Sequence, residues 1–184
     1  LALVVLGASA AAGAFNQFAE HDLDAKMART ARRAFVTGAA TPDNRWLAVI
    51  AALLLVSVAL GGWAFNLTVA FHLFMGAFFY GVIYTLWLKR RSPLNIVIGG
   101  AAGSFAVLAG AAAADPGLSP ESALLAVVLF LWTPPHFWAL AIKRRAEYAK
   151  AGIPMLPVTH GAEFTKQQIL LYTPMLLIPS LMPF

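Results

Sequence analysis

The chain has 184 residues, of which 60% are hydrophobic and only 11% charged, with a formal net charge of +5 and no cysteine. That balance carries far more apolar surface than a soluble domain of this length can bury, so the chain reads as an integral membrane protein. Disulfides, thiolate metal sites and thiol nucleophiles are excluded. Nucleic acid is not an expected partner either, because the positive charge has a topological cause and no interleaved aromatic platform accompanies it.

Apolar segments run over residues 1–19, 46–65, 67–88, 94–114, 121–142 and 167–184. Most lie near the ~20 residues that cross a bilayer core, which predicts six transmembrane helices in an all-α, polytopic bundle. The chain opens inside the first apolar run, without an initiator Met, and stops in Pro183-Phe184. The expectation is therefore one transmembrane domain over 1–184, truncated at its N-terminus and at its C-terminus.

At the end of the first apolar run stand Asn16, Glu20 and Asp24, four residues apart. At ~100° per residue they share one helical face. Like charges at this spacing repel, so two carboxylates and an amide in line make physical sense when a cation sits among them, and oxygen ligands of this kind suit magnesium. Lys26, Arg29, Arg32 and Arg33 follow within ten residues of the carboxylates. A solvated juxtamembrane loop would look similar. The alternation of acids and bases favours a metal-bound polyanion, with carboxylates for the metal and guanidinium or ammonium groups for phosphate oxygens.

All 13 Lys and Arg fall in three stretches, Lys26 to Arg45, Lys89 to Arg91 and Lys143 to Lys166, while the connections around Phe65-Asn66 and Ala114-Ser119 have none. The alternation places the three basic loops, and the acidic face with them, on the cytoplasmic side. Trp46 and Trp63 bracket the second helix as interfacial anchors, and Ser92-Pro93 and Ser119-Pro120 each read as a hydroxyl cap before a first-turn proline. Gly99, Gly103, Ala106 and Gly110 form a small-residue stripe suited to close helix packing.

Two further constellations follow. Tyr80-Gly-Val-Ile-Tyr84-Thr-Leu-Trp87-Leu-Lys89-Arg90-Arg91 ends a helix in basic and aromatic groups. These are belt residues and anchors, or a second set of phosphate-facing groups on the same membrane face. Then comes Trp132-Thr-Pro134-Pro135-His136-Phe137-Trp138. Two prolines inside a membrane helix free backbone carbonyls, predicting a broken turn beside a cavity, and an ionisable His at the break is either a functional group or a cap for that turn. Trp132, Phe137 and Trp138 supply an apolar wall for a flat or isoprenoid ligand, or simply packing. His72, the other intramembrane ionisable candidate, is assigned to packing.

These residues resemble a known family. Asn16-xxx-Glu20-x-Asp22-x-Asp24-xx-Met27-x-Arg29-Thr30, Tyr84-Thr-Leu-Trp-Leu-Lys89-Arg90-Arg91 and Trp132-Thr-Pro-Pro-His136-Phe-Trp138, with Ala151-Gly-Ile-Pro-Met-Leu-Pro-Val158, are similar to the heme O synthases, the heme-farnesylating branch of the UbiA-type membrane prenyltransferases. The resemblance implies a fold of about nine transmembrane helices, each near ~20 residues, of which this chain would hold about six. It implies transfer of a farnesyl group from farnesyl diphosphate to the 2-vinyl group of heme B, with water adding to give heme O. By resemblance Asn16, Glu20 and Asp24 hold Mg²⁺ and, with Arg29 and Lys89, form the catalytic set. Arg29, Arg33, Tyr84, Lys89, Arg90 and Lys143 face the diphosphate, and His136, Trp132 and Trp138 face the heme.

Tyr84 stands five residues before Lys89, where the usual spacing in the superfamily is four. The superfamily's second acidic motif has no clear counterpart, since Glu147 is the single acid between Lys143 and Lys150. The resemblance also implies a multi-pass protein of a bacterial cytoplasmic or mitochondrial inner membrane, its active face towards the cytoplasm, with a downstream heme A synthase as a partner. Two alternatives stand beside it. A UbiA-type enzyme with an aromatic or quinone-precursor acceptor would share the acidic motif, and a membrane transporter could also use charged residues and broken helices.

Overall fold

The structure, a computed structural model, describes residues 1–182. Six long helices run in alternating directions: α1 (Ala2–Ala19), α2 (Asn44–Ala64), α3 (Leu67–Leu88), α4 (Asn95–Ala114), α5 (Pro120–Lys143) and α6 (Gly161–Leu181). Each packs on the next in chain order, and α1 also packs on α3. The chain is a multi-pass membrane protein, with α1 to α5 long and apolar enough to cross a bilayer.

The sixth span differs from the expectation. Its helix begins at Gly161 rather than 167, its first two turns carry Glu163, Lys166, Gln167 and Gln168, and it falls outside the five apolar spans. Residues 183–184 of that expected segment lie outside the described residues.

The caps explain most boundaries. Asp43 accepts from the backbone N–H groups of Arg45 (3.0 Å) and Trp46 (3.2 Å), so α2 starts at Asn44, two residues before the apolar run. Asn66 accepts from Val69 N–H (2.9 Å) and donates to the Ala112 carbonyl (2.7 Å), tying the α2–α3 turn to the end of α4. Ser119 caps α5 as expected. Ser92 instead accepts from Leu94 N–H (3.1 Å), and α4 opens at Asn95. A break at Gly100 splits α4 into Asn95–Gly99 and Ala101–Ala114.

The prolines of α5 do not break it. Pro134 and Pro135 lie inside a helix continuous from Pro120 to Lys143, so the predicted broken turn is corrected. Membrane helices tolerate proline when local adjustments re-satisfy the backbone. The carbonyls left without an α-helical amide donor are those of Phe130 and Leu131, four residues before each proline.

α3 changes its winding at Phe79. From there to Leu88 it is a π-helix, ending with Lys89 N–H on the Tyr84 carbonyl (2.9 Å), a bond spanning five residues. Two cores flank this stretch. One, of Ala8, Val69, Leu73, Ala109 and Ala112, sits between α1, α3 and α4. The other gathers the basic end: Leu23 and Met27 after α1, Ile96 of α4, Ala141 of α5, and Ala151, Ile153 and Met155 beyond it. Burying Ile153 and Met155 contributes about 1.5–3 kcal/mol each, which holds the segment after α5 over the ends of α1, α3 and α4.

Candidate functional site

α1 stops at Ala19, Glu20 caps it, and His21–Asp24 forms a separate single turn. The i,i+4 relation survives the stop: Asn16 Nδ2 donates to Glu20 Oε2 (2.6 Å). It also reaches Thr85 Oγ1 (3.2 Å), whose own hydroxyl donates to the Tyr80 carbonyl (2.8 Å) inside the π stretch of α3. Lys89, at the end of that stretch, pairs with Glu20 Oε2. Farther along, Arg33 pairs with Asp24 Oδ2 (2.7 Å), and Thr30 donates to the Asp24 carbonyl (2.9 Å), folding the basic loop back over the acids.

The result is a polar cavity of about 180 Å³, lined by Asn16, Asp24, Arg29, Arg33, Tyr80, Tyr84, Lys89 and Tyr148 over an apolar base that includes Met27, Ile96 and Phe137. Glu20, bonded to the lining residues Asn16 and Lys89, lies behind the wall with a side chain 1% exposed. The π winding sets two of these side chains in register. Nine residues of α-helix turn ~900°, which would put Lys89 opposite Tyr80. Two π turns of about 4.4 residues bring them to the same side. The five-residue gap between Tyr84 and Lys89 is absorbed in the same way, with Lys89 Nζ 5.6 Å from the centre of the Tyr84 ring. Tyr84 in turn rests on Gly99, where a Cβ would come 2.7 Å from its ring.

Two apolar chambers adjoin the cavity. One, about 300 Å³, lies between α1, α3 and α4 and includes Ser9, His72, Gly76 and Tyr80. The other, about 320 Å³, lies between α3, α4 and α5 and includes Tyr80, Tyr84, Gly99, Gly100, Trp132 and Phe137.

The remaining expected site residues fall elsewhere. Arg90 points away, forming a two-pronged pair with Asp22 (2.7 and 3.0 Å) at the surface, and its guanidinium holds the Asp22 carboxyl below its usual range. Lys143 is exposed at the end of α5. His136 is exposed and stacks on Trp132, ring centres 4.2 Å apart, while Trp132 itself borders the α3/α4/α5 chamber. Trp138 turns to the other side of α5, edge-on to Tyr172 of α6 (5.3 Å), with its Nε1 buried and unpartnered. Thr85, Tyr80 and Tyr148 join the site although none was assigned a role in it, and Phe137, expected in an apolar wall, lines both the polar cavity and the α3/α4/α5 chamber. A lone threonine beside Tyr84 in an apolar run was the signal for Thr85, whereas aromatic side chains in a membrane helix carry no such mark.

A cation-rich polar end flanked by two apolar chambers that share Tyr80 with it, inside a bundle of membrane helices, is an arrangement that suits a membrane prenyltransferase. Over residues 1–184 the chain matches the UbiA prenyltransferase family, and it belongs to that family. Among curated relatives it is similar to protoheme IX farnesyltransferase 2 of Paramagnetospirillum magneticum, 55% identical over 183 residues covering 100% of this chain and 64% of that protein. Protoheme IX farnesyltransferase 1 of the same organism is 52% identical, with 100% of this chain and 65% of the relative covered, and protoheme IX farnesyltransferase of Neorickettsia sennetsu is 48% identical, with 96% and 58% covered. The chain thus spans less than two thirds of the length of these relatives. No solved structure matches it. Membership of this family sets the transporter reading aside.

Proposed function

We propose that the chain is the substrate-binding part of a farnesyltransferase that joins the farnesyl group of farnesyl diphosphate to the 2-vinyl group of heme B, releasing diphosphate and giving heme O. The single observation that carries this is the junction at Tyr80 and Tyr84, where a cation-lined polar cavity meets apolar chambers. A diphosphate head and an isoprenoid tail need that combination, and the relatives' names supply the acceptor. The basic end faces the cytoplasm by the distribution of Lys and Arg, in a bacterial cytoplasmic membrane.

Charge placement supports the chemistry. An allylic C–O bond ionises when the negative charge growing on the leaving diphosphate is stabilised by groups fixed in advance. Arg29, Arg33 and Lys89 line the cavity, two of them held in place by Asp24 and Glu20. The vinyl group attacks the farnesyl cation, water captures the resulting carbocation at the heme side chain and loses a proton, and the hydroxyethylfarnesyl group results. Tyr80, Tyr84 and Phe137 restrict water around the reacting carbons until that capture.

Magnesium fits the donor set of Asn16, Glu20 and Asp24. Glu20 Oε1 is buried without a hydrogen-bond partner, an orphaned hard oxygen of the kind a divalent cation satisfies. Mg²⁺ bound there would neutralise diphosphate charge. Glu20 and Asp24 would then share their charge with the metal, freeing Lys89 and Arg33 to turn to phosphate oxygens.

Heme extraction from cells expressing the full-length protein tests the reading. Heme O should accumulate with the wild-type protein and disappear with Asp24→Asn, which removes an anionic oxygen without changing shape. Cells that express the wild-type protein in the membrane and contain no heme O would refute the proposal.

A further inference from the structure

We propose that the two substrates keep their apolar parts in separate chambers that meet at Tyr80: the isoprenoid tail lies between α1, α3 and α4 and ends at His72, while the macrocycle lies between α3, α4 and α5. This assignment rests on the heme-farnesylation reading above. Its basis is the shape and depth of the two chambers relative to the polar cavity.

The α1/α3/α4 chamber shares Tyr80 with the polar cavity and runs lengthwise along the helices. On α3 it extends from Tyr80 to His72 and on α1 from Gly13 to Val5, eight residues each, or ~12 Å of rise. Its walls are Ala8, Ala12, Ala77, Ala102 and Ala106 together with glycines. A chamber elongated along the bundle axis suits an extended chain whose head is held at Lys89. At its far end His72 is 6% exposed, set between Phe71 (5.2 Å) and Phe105 (6.0 Å), with Nδ1 buried and unpartnered. An imidazole nitrogen without a partner is a poor neighbour for additional methylene groups, so His72 marks where the tail stops.

The α3/α4/α5 chamber lies at the depth of the polar cavity itself, sharing Tyr80, Tyr84, Ile96 and Phe137 with it. Gly99 and Gly100 let Tyr84 and Thr133 pack close against α4, and Trp132 and Phe137, 43% and 40% exposed, stand at the chamber's edge. A planar macrocycle can slide in from the lipid there and bring a vinyl group beside the first carbon of the tail. The other chamber would carry the same macrocycle about two helical turns too deep.

The test measures binding to the purified full-length protein. Labelled geranyl, farnesyl and geranylgeranyl diphosphates report on the tail, and Soret titration reports on heme. His72→Ala should raise the ratio of geranylgeranyl to farnesyl affinity roughly fivefold, a gain that misfolding cannot mimic. Ala106→Leu and Ala106→Phe, of graded bulk, should weaken farnesyl diphosphate roughly tenfold, weaken the shorter geranyl diphosphate much less, and leave heme binding unchanged. Leu129→Trp, at a side chain that lines the α3/α4/α5 chamber, should do the reverse, lowering heme affinity while sparing the diphosphates. Unchanged chain-length preference in His72→Ala, or loss of heme rather than farnesyl diphosphate in the Ala106 variants, would overturn the chamber assignment while wild-type heme O production still stands. Wild-type protein that binds farnesyl diphosphate but neither binds heme nor makes heme O overturns the underlying reading, and the macrocycle's place with it.

Discussion

Lys89→Met is the sharpest perturbation of the polar end, because it keeps most of the side chain's bulk and removes only the ammonium. Glu20 is left with a carboxylate 1% exposed, one oxygen already partnerless, and Asn16 as its remaining side-chain donor. Leaving one member of a buried pair uncompensated costs about 3–5 kcal/mol. At about 2–4 °C per kcal/mol for proteins of this size, the apparent melting temperature should fall by roughly 10 °C. Adding Glu20→Gln removes the charge that needed Lys89 and keeps an acceptor for Asn16. The double variant should therefore recover most of the loss, with a coupling energy of about 2 kcal/mol or more, and yet make no heme O. Thermal unfolding of the full-length protein in detergent, followed by tryptophan fluorescence, reads all four members of the cycle. A double variant that melts no higher than Lys89→Met would show that the pair is not what holds this corner together.

Reporter fusions should place Thr41, Ser92 and Ala149 in the cytoplasm and Gly117 on the opposite side, and a cytoplasmic signal at Gly117 would contradict the alternating topology. His136→Ala should lower heme affinity about two- to tenfold by releasing Trp132 from its stack, whereas His136→Phe, which can keep the stack, should be close to wild type; equal defects would mean that the imidazole itself meets the acceptor. For Asp22, whose carboxyl is held low by Arg90, the sign follows from the direction of the shift: the folded state binds the proton less readily than the unfolded, so the stabilisation is present at neutral pH and lost as pH falls through the folded-state value. Asp22→Asn should cost less than ~1 kcal/mol at pH 7, since both partners are exposed, and the difference from wild type should vanish in acid denaturation series.

Much of the polar end was legible in the sequence, for a simple reason. Charged side chains in a chain this apolar are few, and they must gather at helix ends, so spacing joined Asn16, Glu20 and Asp24 while the distribution of Lys and Arg put Arg29 and Lys89 on the same face of the membrane. The apolar half was not legible in the same way. In water a helix shows which face is inside by its pattern, but in lipid both faces are apolar, and nothing in the sequence says that His72 turns inward while His136 turns out. The two prolines of α5 misled for a related reason. They announce lost hydrogen bonds, but whether the helix breaks or continues depends on neighbours that the local sequence does not name. The winding of α3 was hidden too, since Phe79–Leu88 contains ordinary helix-compatible residues and its contacts with Asn16 and Gly99 come from distant parts of the chain.

That winding has a consequence for how the stretch can vary among relatives. Each π turn sets the α-helical frames on either side of it out of phase as if one residue had been inserted, and the two turns of Phe79–Leu88 amount to about two. A UbiA-type chain that spaces its tyrosine and lysine by four residues can show both to the cavity with α winding, about 40° apart. This chain, with five, shows the same pair with π winding at nearly the same separation. Insertion or loss of one residue here can therefore pass without disturbing the site, provided the winding changes with it; what is held constant is the direction of two side chains, and the number of residues between them is free.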